Sequence, residues 1–157
     1  METDQFRPWD VGEEILGPKV PYLSVVGALM YPANCTRPNI VFAVNLLARQ
    51  STAPTKWHWT GVKHILRYVN GTRDLGQFFQ RGPNSDMVGY TNAGYLSNPY
   101  NGRSQRGFVF LHNGTTISWK SSKQTLVTTS TNHSEIVALY EASRECVWLR
   151  RMINHIQ

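Results

Sequence analysis

A chain of 157 residues that is 41% hydrophobic can bury one compact core or two small ones sharing a core, and its five Trp, seven Tyr and six Phe exclude a disordered chain. No apolar run approaches the roughly 20 residues that span a bilayer, and Cys35 and Cys146, far apart and outside any CxxC spacing, fit reduced core thiols rather than a disulfide framework. The formal net charge of +6 is uneven: residues 1–18 set Glu2, Asp4, Asp10, Glu13 and Glu14 against Arg7 alone, leaving fifteen bases and five acids on the remainder. A body this basic suits a polyanionic partner, nucleic acid first, although no Lys/Arg run exceeds the pair Arg150-Arg151.

In chain order, Met1 to Gly17 is polar and acidic and lacks the basic-then-apolar order of a secretory signal, so the expected location is intracellular, in cytoplasm or nucleus, with no membrane partner. Pro8, Gly12, Gly17, Pro18 and Pro21 predict an irregular segment over 1–21. Tyr22 to Tyr31 places Tyr22, Val25, Val26, Leu29 and Met30 at helical spacing, with Pro32 expected to end or kink the helix. Thr36-Arg37-Pro38 reads as the next helix start, with Thr36 as cap and Pro38 in the first turn, leading into Ile40 to Leu47. After a linker at Ser51 to Pro54, Thr55 opens a third helix whose apolar face is expected to carry Trp57, Gly61, Ile65, Tyr68 and Val69. Asn70-Gly71-Thr72 stops it.

Beyond Gly71 the period changes. Leu75 to Phe79, Met87 to Thr91, Gly107 to Leu111 and Thr116 to Trp119 are short aromatic or β-branched runs that predict strands. Gly82-Pro83-Asn84, Asn98-Pro99-Tyr100-Asn101-Gly102 and His112-Asn113-Gly114 separate them with turn chemistry, the last suggesting a tight hairpin. Val88 to Ser97 reads as a short apolar strand running straight into a small, polar turn around Asn92. A closing helix spans about Asn132 to Ile156. It is expected to bury Ile136, Leu139, Tyr140, Val147, Met152 and Ile153 and to show Glu141, Arg144, Glu145 and Arg151 outward. The class is α+β: a helical segment over 22–74, then antiparallel strands and a long helix over 75–157.

The motifs resemble a family. Cys35-Thr36-Arg37-Pro38-Asn39-Ile40, Trp59 with His64-Ile65-Leu66-Arg67-Tyr68, and Gly71-Thr72 are similar to the end of the reverse transcriptase of Ty1/copia-type retrotransposons, plant elements especially. Gly89-Tyr90 with Ala93, Arg103-Ser104 with Gly107-Phe108, Ile117-Ser118-Trp119-Lys120 with Lys123-Gln124, Ser134-Glu135 through Ala138-Leu139, and Trp148-Leu149-Arg150 resemble its ribonuclease H domain. The likeness runs in the family's order from about Tyr22 to Gln157. It implies a piece of a Pol polyprotein: thumb or connection helices over 22–74 and the N-terminal part of a ribonuclease H–like domain over 75–157, with the polymerase's catalytic aspartates upstream.

The resemblance also implies a chemistry. Two-metal phosphodiester cleavage needs divalent ions held by hard oxygen ligands, and the intact family uses Mg²⁺. The first carboxylate position falls on Asn92 and the second on Glu135, while the family's later acidic ligands lie further downstream than Gln157. Asn92 offers a neutral carbonyl oxygen where a carboxylate would bring two oxygens and a charge. This predicts a catalytically inactive fragment with no intact metal site and no cofactor, in which Glu135 has a structural role as an acid in the first turn of a helix. Arg103, Arg106, Lys120 and Lys123, interleaved with Phe108 and Trp119, are candidates for tracking the phosphate backbone of an RNA–DNA hybrid or duplex. The competing reading makes the rings core and the bases solvated edges. His112, His133 and His155 lack zinc spacing, and Ser130 with His133 lacks the elbow of a nucleophile. Two other readings stay open: a co-opted effector-like or protein-interaction module, and an endonuclease completed in trans by another chain. An exposed sheet edge and apolar face are expected, with self-association through the edge.

Overall fold

Residues 12–79, 86–98 and 102–156 are described by a computed structural model, and the chain divides into two units, Met1–Gly76 and Gln77–Gln157. The α+β class holds: helices come first, then a three-stranded antiparallel sheet, then a long helix. The turn expected at Gly82-Pro83-Asn84 and most of the one at 98–102 lie outside the described residues.

In the first unit, α1 (Tyr22–Cys35), a 3-10 turn (Pro38–Ile40), α2 (Val41–Ala48) and α3 (Lys56–Gly71) surround a core of Tyr22, Val26, Leu29, Ala33, Ile40, Val41, Val44, Leu47, Val62 and Ile65. Pro32 does not end α1, which continues through it to Cys35. The continuation buries Ala33 completely, and the Pro32 carbonyl accepts from the N–H groups of both Thr36 and Arg37, at 3.0 and 2.7 Å. Thr36 therefore closes α1 and does not cap the following turn, where Pro38 takes the first position. The Arg37 guanidinium donates to the Thr72 hydroxyl and carbonyl, at 2.8 and 2.7 Å, and so binds the end of α3.

Thr55 does open α3, through a capping box with His58, whose Nδ1 accepts from the Thr55 N–H at 2.9 Å. This leaves the ring proton of a neutral His58 on Nε2. Both side chains are buried, and the inward face runs through His58, Gly61, Val62 and Ile65. Trp57 and Tyr68, expected on that face, are exposed. The described part of the opening segment meets α3 through a β-bridge between Ile15 and Thr55. Beside it, an exposed Lys56–Glu14 ion pair holds the Glu14 carboxyl below its usual range.

Tyr22 is the polar fixture of this core. Its hydroxyl donates to the Leu47 carbonyl at 2.9 Å, and burial pushes its pKa up from 10.0 to about 12. Because the folded value is the higher one, the neutral phenol's contribution is complete below pH 10 and is lost as pH rises through 12. Alkaline unfolding followed by circular dichroism should show this loss between those values. Tyr22→Phe should lack that step and be about 1 kcal/mol less stable at pH 7. An identical alkaline profile in both proteins would contradict the assignment.

In the second unit, β1 (Met87–Asn98), β2 (Arg103–His112) and β3 (Thr115–Lys123) form a sheet in the order β1-β2-β3, and α4 (Thr131–Ile156) packs over β1 and β2. The β2–β3 hairpin forms where expected: Asn113 and Gly114 both take positive φ, 48° and 76°, between paired His112 and Thr115. Two expectations fail here. Leu75 to Phe79 is no strand; it is largely exposed and outside the sheet, touching it where the Thr115 hydroxyl donates to the Phe78 carbonyl at 2.6 Å. The turn expected around Asn92 is strand, since β1 stays paired with β2 from Met87 to Gly94. The irregularity comes later, between Gly94 and Asn98, with Leu96 at φ 48°.

The helix α4 spans what its sequence predicts but turns a different face inward. Ser134, Ala138, Ala142 and Leu149 are buried, whereas Ile136, Leu139, Tyr140, Val147 and Met152 are exposed. Small alanines let the helix approach the strands closely, and Phe110, Ala142 and Leu149 form the core with Met87, Phe108, Ile117 and Cys146 around them. The larger apolar residues are left outside. No described helix is long and apolar enough to cross a membrane.

Candidate functional site

The site is built where α4 begins over β1. Ser130 caps the helix, its hydroxyl accepting from the His133 N–H at 3.1 Å. Glu135 thus lies beyond the first turn, where the helix dipole is not its main partner. Its carboxylate instead accepts a hydrogen bond from the Ala93 N–H on β1, at 3.1 Å. Asn92 is the adjacent residue and is exposed. The hydrogen bond ties Glu135 to the β1 backbone next to Asn92, while strand alternation, which puts Ala93 with its partner Arg106 on the α4 side, turns the Asn92 side chain to the opposite sheet face.

A buried polar network holds the ends of these elements. The Ser104 hydroxyl accepts from the Leu96 N–H at 3.2 Å and lies 3.1 Å from the Thr128 hydroxyl. The Gln124 N–H donates to the Ser104 carbonyl and its side-chain amide to the Ser134 carbonyl, each at 2.8 Å. The Ser97 hydroxyl accepts from the Gln105 N–H at 2.7 Å, tying the β1 irregularity to β2. Ser104, Gln124, Thr128 and Ser134 are buried. They are the positioning residues that the chemistry of the sequence alone did not single out, although Ser104, Gln124 and Ser134 sit inside the motifs that carry the resemblance.

The donor set does not fit a two-metal centre. The neutral Asn92 amide is on the sheet face away from Glu135, and one Glu135 oxygen is already engaged by a backbone N–H. Among the described residues no three His, Cys, Asp or Glu side chains gather where they could hold a metal ion. Two-metal cleavage needs several carboxylates converging on hard cations, and one carboxylate does not make that arrangement.

The sheet divides the basic candidates. Strand alternation and register put Phe108, Arg106 and Lys120 on the α4 side and Arg103, Trp119 and Lys123 on the opposite side. Arg106 is engaged: its Nη1 lies 3.4 Å from the Glu141 carboxylate and its Nε donates to the Ser122 hydroxyl at 3.3 Å. Phe108 is core, its ring 5.5 Å from that of Phe110. Arg103 and Lys120 are exposed, and Trp119 and Lys123 are half-buried. These six residues thus do not make one track.

Against known proteins, no family model matches the chain and no solved structure matches it. The chain is 41% identical over 130 residues to the secreted RxLR effector protein 161 of Plasmopara viticola, covering 83% of this chain and 92% of that protein. It is 41% identical over 138 residues to the retrovirus-related Pol polyprotein from transposon TNT 1-94 of Nicotiana tabacum, covering 88% of this chain. The corresponding polyprotein from transposon RE2 of Arabidopsis thaliana is 32% identical over 144 residues, 89% of this chain. The chain spans 10% of the length of each of these two polyproteins. With matches of this identity over more than four fifths of its length, the chain belongs to the Pol polyprotein family of Ty1/copia-type retrotransposons.

Proposed function

We propose that this Pol segment is a ribonuclease H–like module that does not cleave and that binds RNA–DNA hybrid or duplex weakly and in a salt-sensitive way. The observation that carries the reading is the Glu135 carboxylate bound to the Ala93 N–H beside Asn92, a structural contact at the position where the family's chemistry would need a metal cluster. Removing one charge from such a cluster costs on the order of a hundredfold in rate, and more when further ligands are lacking. Arg103 and Lys123, with Trp119 on the same sheet face, supply the polyanion contact, and the formal charge of +6 supports it.

The test is incubation of a labelled hybrid with the purified chain and Mg²⁺ or Mn²⁺. Intact hybrid is expected, and cleavage that Glu135→Gln abolishes would overturn the reading. Binding should weaken with salt, and Arg103→Ala with Lys123→Ala should reduce the log–log salt slope by about 2. An unchanged slope would remove those two residues from the interface.

The likeness to an effector protein over 92% of its length favours a second reading, a co-opted protein-interaction module. A partner retained at high salt would support it against electrostatic nucleic-acid binding.

A further inference from the structure

All three carboxylates of α4 are turned to the sheet. Glu135 accepts from the Ala93 N–H, Glu141 pairs with Arg106, and Glu145 accepts from the Ser118 hydroxyl at 2.8 Å. The helix's arginines, Arg144, Arg150 and Arg151, are all exposed. The outer side of α4 is consequently a surface with cations and no acid. Tyr140, Arg144, Trp148 and Arg151 follow one another at helical spacing along it, with the two rings 64% and 55% exposed. At about 1.5 Å of rise per residue the ridge is about 16 Å long, with its arginines about 10 Å apart along the axis.

Exposed rings alternating with guanidinium groups select a polyanion that also offers free planar groups. A duplex keeps its bases stacked and gives the rings nothing to cover, whereas an unpaired strand presents phosphates and base faces together. We propose that the outer face of α4 is a contact site for single-stranded nucleic acid, with Arg144 and Arg151 on phosphates and Tyr140 and Trp148 against bases. The site is separate from the sheet face carrying Arg103 and Lys123 and does not depend on the hybrid reading.

Fluorescence anisotropy with a labelled oligothymidylate tests it on the whole chain. Arg144→Gln with Arg151→Gln should weaken binding about tenfold and reduce the log–log salt slope by about 1.4, as expected for two phosphate contacts on a single strand. Tyr140→Ala with Trp148→Ala should weaken it about tenfold with the slope unchanged, because stacking is not a counterion effect. Arg103→Ala with Lys123→Ala should leave oligothymidylate affinity intact, so that failure of the sheet-face reading is seen separately. All these α4 side chains are exposed, and circular dichroism melting of each variant checks the fold. The proposal is overturned if the parent fails to bind oligothymidylate or if both α4 variants bind like the parent. It is also overturned if the α4 variants lose binding to anionic vesicles or an acidic peptide while oligothymidylate binding is untouched.

Discussion

Phe110→Ala is expected to cost about 3–5 kcal/mol and to unfold most of the sheet unit at ambient temperature. Phe110 is 3% exposed and joins Ala142 and Leu149 in the core, with Met87, Phe108, Ile117 and Cys146 packed around them. The fit is close on the β1 side as well. A Cβ added to Gly89 would come within 2.4 Å of the Phe110 ring, so the strand needs glycine there for the ring to lie against its backbone. Gly89→Ala should therefore destabilise the same unit by about 1–3 kcal/mol through overpacking. Hydrogen exchange of the β2 amides measures both effects on this unit alone. Near-parental protection in Phe110→Ala would mean that the ring is not the core's centre.

The second large effect is expected at Glu135. Glu135→Ala leaves the Ala93 N–H without its carboxylate and should cost about 1.5–3 kcal/mol, the range for a hydrogen bond to a charged group. Glu135→Gln keeps an acceptor oxygen and should recover most of that loss. Millimolar Mg²⁺ should leave the parent's melting temperature unchanged, since ligand-induced stabilisation requires a site that binds the ion in the folded state. A large Mg²⁺ shift that disappears in Glu135→Gln would make Glu135 a metal ligand and not a link between α4 and β1. Asn92→Asp should restore no cleavage, because one added carboxylate still leaves the cluster short of ligands.

Much of the local structure was legible. Thr55 before an amphipathic run announced the start of α3, and His112-Asn113-Gly114 announced the hairpin, since in each case the signal is a short-range backbone requirement. The extent of α4 was legible for the same reason. Its orientation was not. Counting large apolar residues pointed to Ile136, Leu139 and Tyr140, whereas the sheet accepted Ala138 and Ala142 and gave partners to Glu135, Glu141 and Glu145. Periodicity identifies a stripe, but which stripe faces inward depends on how near the neighbouring element can come and on what its polar groups can bond. The same limit applies to Pro32, whose cost to the helix was outweighed by burial of Ala33.

For the candidate site, the resemblance pointed to Asn92 and Glu135 from two distant motifs, and the amide at 92 already argued against metal chemistry. Sequence by itself determined the class, the order of the elements and the family, because each is a matter of residue type and spacing. Only the tertiary structure decided that Glu135 reaches the Ala93 N–H, that Arg106 is engaged by Glu141 while Arg103 lies on the opposite sheet face, and that α4 gives its three acids partners on the sheet and leaves its arginines exposed. Those outcomes depend on strand register and on the rotation of a helix about its axis, and both are settled by contacts between residues far apart in the chain.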